Sequence, residues 1–198
     1  MIVPPQCIQG GTMSKNRDLI LQSARDIFSS RNFEQVTIKE ICQHAGVANS
    51  TFYYHFKTKE ELMDCLRDCD ARIHTPDLLN IISVPDLLEQ TIAACSMCAV
   101  RAERQGCTLT AQYYKRKVDA EDPGDAVRQR SAQELATARA FIERAQQAGV
   151  IRNNRPADQL AYAAIHLTSS IVVEWCAQSG SYDLLGRTRE YLLVLFNV

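Results

Sequence analysis

The amino-acid sequence predicts an all-α fold, in which a short N-terminal unit of three helices precedes a longer helical domain, with about nine helices altogether. Two observations carry this reading. Apolar residues recur at 3.6-residue spacing in every periodic segment, and no stretch competes with the period-two alternation of a strand. Between residues 36 and 62, VTIKEICQHAGVANSTFYYHFKTKEEL, two short helical patterns flank a glycine, the arrangement of a helix-turn-helix.

The first helix is expected from Lys15 to Arg31, with Ile20, Ala24, Ile27 and Phe28 on one face. Thr37 opens the second: its hydroxyl can satisfy an orphan amide, and Glu40 three positions on completes a capping box. Ile38, Ile41 and Ala45 mark that helix's inward side. Gly46 supplies the tight turn, where a residue without Cβ takes the left-handed conformation, and Val47 fills the angle between the helices. The third helix, about Asn49 to Phe56, buries Phe52 and Phe56 at i and i+4, which leaves Asn49, Ser50, Thr51, Tyr53, Tyr54 and His55 outward. Three adjacent residues cannot all face inward on one helix, so this polar and aromatic face calls for a partner, and a nucleic-acid surface fits it.

Thr58 caps a fourth helix, whose stripe runs through Leu62 and Leu66 towards Ile73. Thr75-Pro76 and Val84-Pro85 interrupt the pattern and bracket a short connection. The remaining helices are expected over Pro85 to Gln105, Thr108 to Val118, Asp125 to Ala148, Pro156 to Gln178 and Tyr182 to Phe196, with Gly106, Gly149 and Gly180 as stops. Residues 1–13 read as a disordered leader or a cloning remnant, 14–60 as the helix-turn-helix domain, and 61–198 as the larger helical domain.

A threonine-led helix, Ala45-Gly46-Val47, and then Thr51-Phe52-Tyr53-x-His55-Phe56-x-x-Lys59-x-x-Leu62 is similar to the signature of the tetracycline-repressor (TetR) family. The likeness runs from about Asn16 to Leu66; beyond it only length and helical pattern agree. It implies a transcriptional repressor that binds a palindromic operator as a homodimer and is released by a small apolar effector. By the same resemblance, Asn49, Ser50 and Tyr53 face base edges, Lys39 reaches the groove, and Thr37, Thr51, Tyr54, His55 and Lys59 hold phosphates. Lys59 also lies beside the N-terminus of the fourth helix, whose free amides favour a phosphate.

Helix 156–178 is apolar almost all round, which implies burial on more than one side. Ile171, Trp175, Leu184, Leu185, Tyr191, Leu192 and Leu195 on the last two helices are therefore expected to form half of a four-helix dimer interface. An effector pocket among helices four to eight is expected to be lined by Met97, Tyr113, Tyr114, Phe141, Tyr162, His166 and Trp175; for the lone His166, hydrogen-bonded core is the competing reading.

The net charge of −1 excludes a protein that coats nucleic acid through bulk charge. From Ser14 to Leu62, seven basic side chains face six acidic ones. Binding must rest on a few placed contacts, which a symmetric dimer would double. No run of about 18 apolar residues and no secretory signal is found, so the chain is expected in the cytoplasm, away from membranes. Eight cysteines are read mainly as small packing residues in a reducing compartment. Cys95, Cys98 and Cys107 keep open an alternative, a thiol- or metal-responsive regulator; a helical adaptor without DNA affinity is the other. There is no phosphate loop, nucleophile elbow or H-E-x-x-H motif. Neither catalytic residues, a resident metal nor a cofactor is expected.

Overall fold

The computed structural model describes residues 12–71, 75–119 and 125–198, and they form two compact units that divide after Asp70. Eleven α-helices and one short 3-10 turn are present among these residues, with no strand. The expected leader lies outside the described residues except for Thr12 and Met13, which begin the first helix.

The first unit contains α1 (Thr12–Ser30), a 3-10 turn (Phe33–Gln35), α2 (Ile38–Ala45), α3 (Asn49–His55) and α4 (Lys59–Ala71). Ile20, Ala24, Phe28, Ile41, Phe52, Phe56, Leu62, Met63 and Leu66 are almost completely buried. Each of these side chains except the small Ala24 contributes about 1.5–3 kcal/mol of burial, so a short α2 and α3, marginal alone, are held by this shared core. The boundary comes ten residues later than the sequence predicts, because α4 has its own fully buried stripe, Leu62, Met63 and Leu66, and belongs to the first unit.

The second unit contains α5 (Thr75–Ser83), α6 (Leu87–Cys95), α7 (Met97–Gln105), α8 (Cys107–Asp119), α9 (Asp125–Gln147), α10 (Ala157–Ala177) and α11 (Leu184–Phe196). α10 is the central element and packs against α6, α7, α8, α9 and α11. Two apolar clusters surround it. One joins Ile92, Cys95, Ala138, Ile142, Leu160, Ala164, Leu192 and Phe196; the other joins Ala99, Ala102, Ile171, Val172, Trp175 and Leu184. By length and composition alone α10 is apolar enough to cross a membrane, at mean hydropathy 1.3; here Leu160, Ala161, Ala164, Ile171, Val172 and Trp175 are buried in the core, while Tyr162 and Val173 are exposed.

Two differences raise the helix count from nine. The segment expected as a connection is helical as α5, since Pro76 occupies a first-turn position where a missing N–H costs nothing. The helix expected from Pro85 to Gln105 is broken at Ser96, whose φ of −98° and ψ of 5° let it end α6 and start α7.

The end of α11 is clasped by the α9–α10 loop. The amides of Arg152 and Asn153 both donate to the Phe196 carbonyl at 3.2 Å, and Asn153 Nδ2 donates to the Leu195 carbonyl at 2.7 Å. From α9, Gln146 Nε2 donates to the Asn153 and Arg155 carbonyls at 2.7 and 2.9 Å. The α10–α11 turn is fastened similarly: Trp175 Nε1 donates to the Tyr182 carbonyl at 3.0 Å, and the Tyr182 hydroxyl donates to the Ile171 carbonyl at 2.9 Å. At Gly180, φ is 74° and an added Cβ would stand 3.2 Å from the Trp175 ring, so this turn requires glycine.

Candidate nucleic-acid interface

The pairing of α2 and α3 follows from local chemistry. The Thr37 hydroxyl accepts from the Glu40 amide at 3.2 Å while Glu40 Oε2 accepts from the Thr37 amide at 2.8 Å, a complete capping box. Gly46, at φ 67°, closes α2, and its amide donates to the carbonyls of Cys42 and Gln43. Arg31 adds a 2.7 Å ion pair to Glu40. These donors, the Arg31 guanidinium first and the Thr37 backbone amide next, hold the Glu40 carboxyl down at about 2.

α3 then presents two opposite faces. Phe52 and Phe56 are buried with ring centroids 5.7 Å apart, and Arg17 from α1 lies over the Phe56 ring at 5.5 Å. On the other side Tyr53 is 57% and Tyr54 68% exposed, beside the exposed Asn49 and Ser50. Edge-on ring pairs, Phe52 with Tyr53 at 5.5 Å and Tyr54 with His55 at 5.0 Å, brace these rings against the helix. Thr51 and His55 are half-buried at the flanks, and Lys39 is exposed on α2. Two large exposed aromatic rings on a seven-residue helix form a surface suited to base edges and phosphates.

Two residues expected at phosphates are placed differently. The Thr37 hydroxyl is engaged by Glu40 on both counts, since it also donates to Oε2 at 2.8 Å, which makes Thr37 a positioning residue for α2. The Lys59 ammonium donates to the carbonyls of Phe33 and Val36 at 2.7 and 2.8 Å and stands 4.2 Å from the Phe33 ring centre. One of its three N–H groups remains for a phosphate. Nearby, α4 starts as expected, with the Glu61 amide donating to Thr58 Oγ1 at 3.1 Å.

In the second unit the expected pocket residues separate into three environments. Met97 packs against the buried Phe141 in a small cluster with Ile81 and Ala94. Tyr113 is buried, while Tyr114 packs half-buried against the cluster that contains Trp175. Tyr162 and His166, in contrast, are exposed on α10, stacked at 4.0 Å with 24° between ring planes. They line no interior, and His166 is not core: its Nδ1 meets the Tyr162 carbonyl at 2.9 Å on the surface. An all-round apolar helix cannot reveal which stripe faces out.

The expected interface set divides likewise. Ile171, Trp175, Leu184 and Leu192 are core residues of one chain, and Leu185 and Leu195 are half-buried against the same clusters. Only Tyr191 of that set is exposed. The exposed apolar side chains of α10 and α11 are Tyr162, Val173, Tyr191 and Val194, of which the sequence reading placed Tyr162 in a pocket and omitted the two valines.

Burial pushes the Cys95 thiol up to about 12 and raises that of Cys98, so neither is a ready nucleophile. Cys107 is half-buried beside the same cluster. Among the described residues no group of three or more His, Cys, Asp or Glu side chains is placed to hold a metal. A polar group the sequence did not signal is the ion pair of Arg101 and Glu134, which joins α7 to α9 with both side chains largely buried.

Comparison with known proteins agrees with this geometry. The family model for bacterial regulatory proteins of the tetR family matches residues 20–65. The transcriptional repressor KstR2 of Mycolicibacterium smegmatis is 36% identical over 56 residues, which span 28% of this chain and 27% of that protein. A probable acrEF/envCD operon repressor of Escherichia coli is 24% identical over 182 residues, covering 86% of this chain and 80% of that one. Among solved structures, the regulator FadR of Bacillus subtilis in complex with stearoyl-CoA superposes with a TM-score of 0.67 at 18% identity, over 90% of this chain and 97% of that chain.

Proposed function

Because the N-terminal unit of this chain belongs to the tetR family of bacterial regulatory proteins, which makes the chain a DNA-binding transcriptional regulator, we propose that it is a cytoplasmic repressor occupying a palindromic operator as a homodimer. A small, largely apolar effector bound in the second unit releases it. The observation that carries the DNA part is the face of α3, where Tyr53 and Tyr54 are exposed beside Asn49 and Ser50 on a helix pinned by Phe52 and Phe56. On this reading Asn49, Ser50 and Tyr53 meet base edges, Lys39 reaches the groove, and Tyr54, His55, Thr51 and the third N–H of Lys59 meet phosphates.

The homodimer is supported by the row Tyr162, Val173, Tyr191 and Val194, which is exposed on adjoining helices of one chain. A second copy of the same face would cover it isologously. The apolar effector is supported by the composition around α10, and the acyl-CoA ester held by one structural neighbour gives the first class of compound to try. To act, the effector must bind the operator-free state more tightly than the operator-bound one; a coupling of about 1–3 kcal/mol changes operator affinity about 5- to 150-fold. The test is fluorescence anisotropy with DNA from the chain's own upstream region, in low and high salt. Saturable binding with a stoichiometry of two chains per site is expected. Affinity no better than for scrambled DNA of the same composition overturns the reading in favour of a helical adaptor.

A further inference from the structure

Five side chains from four helices bring polar groups together in an otherwise apolar part of the second unit: Cys98 and Arg101 on α7, Tyr114 on α8, Glu134 on α9 and Ser169 on α10. Arg101 Nη2 donates to Glu134 Oε1 at 2.5 Å, with side chains only 18% and 21% exposed. Cys98 Sγ lies 3.9 Å from Ser169 Oγ, and the Tyr114 hydroxyl is hydrogen-bonded to Ser169. Burial raises both the Cys98 thiol and the Tyr114 hydroxyl, so both are uncharged at neutral pH. Cys98 and Tyr114 pack on the cluster of Ala99, Ala102, Ile171, Val172 and Trp175.

One group in this assembly is left over. Arg101 Nη1 is buried and has no acceptor among the described residues, although it carries two N–H donors. A buried donor left unmade is costly, more so when charged, so this one is a standing demand for an acceptor. Glu134 already balances the guanidinium charge. A second carboxylate would bring uncompensated negative charge into a low-dielectric interior, whereas an uncharged acceptor satisfies Nη1 without importing charge.

We propose that Arg101 Nη1 is the point that receives the polar end of the effector, and that the effector is a mainly apolar molecule bearing an uncharged carbonyl (a ketone, ester, amide or thioester) in preference to a free carboxylate. This rests on the reading of the chain as a ligand-released repressor. Glu134 is the positioning residue that holds the guanidinium, and the apolar remainder of the ligand lies along the Trp175 cluster.

The full-length protein is titrated calorimetrically with matched pairs of probes: undecan-2-one against undecanoic acid, and 4-phenylbutan-2-one against 4-phenylbutanoic acid. At least one ketone should bind, about tenfold more tightly than its acid, the worth of one hydrogen bond to a charged donor. The double variant Arg101→Leu/Glu134→Leu removes the pair without stranding a buried charge, and should lose that preference. In the wild type, the guanidinium resonances of ¹⁵N-labelled arginine should shift for one residue on ketone addition, a measurement that stands even where the double variant does not fold. Equal or tighter binding of the acid, binding of neither ketone, a preference that survives in the double variant, or unmoved arginine resonances would each overturn the proposal. Operator affinity is read separately. Arg101-dependent ketone binding that leaves operator affinity unchanged supports this site and refutes instead its role in release.

Discussion

Lys59 reaches across the first unit to Phe33: its ammonium donates to the Phe33 carbonyl at 2.7 Å and lies 4.2 Å from the centre of the same residue's ring. One cation at the start of α4 therefore satisfies the turn between α1 and α2. Lys59→Ala leaves the carbonyls of Phe33 and Val36 without their charged donor. We expect a loss of about 1 kcal/mol of stability in thermal denaturation, together with weaker binding to all DNA sequences and a shallower salt dependence. Unchanged melting would show that these two hydrogen bonds add no net stability to the free protein, and unchanged DNA binding would remove Lys59 from the phosphate contacts.

Asn49→Ala should behave oppositely. The residue is exposed at the first position of α3, so melting should be unaltered, while affinity for the cognate operator falls by about 1–3 kcal/mol with relaxed discrimination at one base pair. A competition assay with single-base operator variants checks this. An equal loss on every sequence would reassign Asn49 to the phosphates.

Glu40 predicts a pH dependence. Its carboxyl titrates near 2 in the folded chain, below its ordinary 4.5. The folded-state value is depressed, so the stabilisation is present above about pH 4.5 and is lost as pH falls from there towards 2. Glu40→Gln removes this component. The melting temperatures of wild type and variant should converge through that window, as followed by circular dichroism; a constant gap down to pH 2 would contradict the role given to Arg31 and Thr37.

Neighbouring positions on α11 separate folding from assembly. Leu192 is fully buried in the core of one chain, so Leu192→Glu buries a charge and should unfold the second unit. Val194 is 79% exposed, so Val194→Glu should leave helicity intact and, if the α10–α11 face is the dimer surface, yield monomers by sedimentation. A Val194→Glu protein that remains dimeric at micromolar concentration would remove this face from the interface.

The helix-turn-helix was legible because its determinants are local: a capping box within four residues, a glycine at positive φ, and two phenylalanines one turn apart. The second unit was legible as helices and not as surfaces. α10 carries apolar residues on every side and α11 a broad apolar face, so sequence alone put Tyr162 and His166 inside and Leu192 at an interface, while packing within the second unit decided the reverse. Helix α5 was hidden by Pro76, which reads as a breaker until its first-turn position is known. The break at Ser96 has neither proline nor glycine to announce it, and the ion pair of Arg101 with Glu134 joins residues 33 positions apart.

The clasp on α11 has a consequence for how the second unit opens. Because Gln146 holds the loop, and the loop amides of Arg152 and Asn153 share the Phe196 carbonyl, the last turn of α11 cannot fray while α9 stays folded against the loop. Terminal turns ordinarily exchange their amide hydrogens at the lowest free energy of a domain. Here the amides of Arg152 and Asn153 and the closing turn of α11 belong to one cooperative unit, so the C-terminus of this chain should exchange at the pace of its interior.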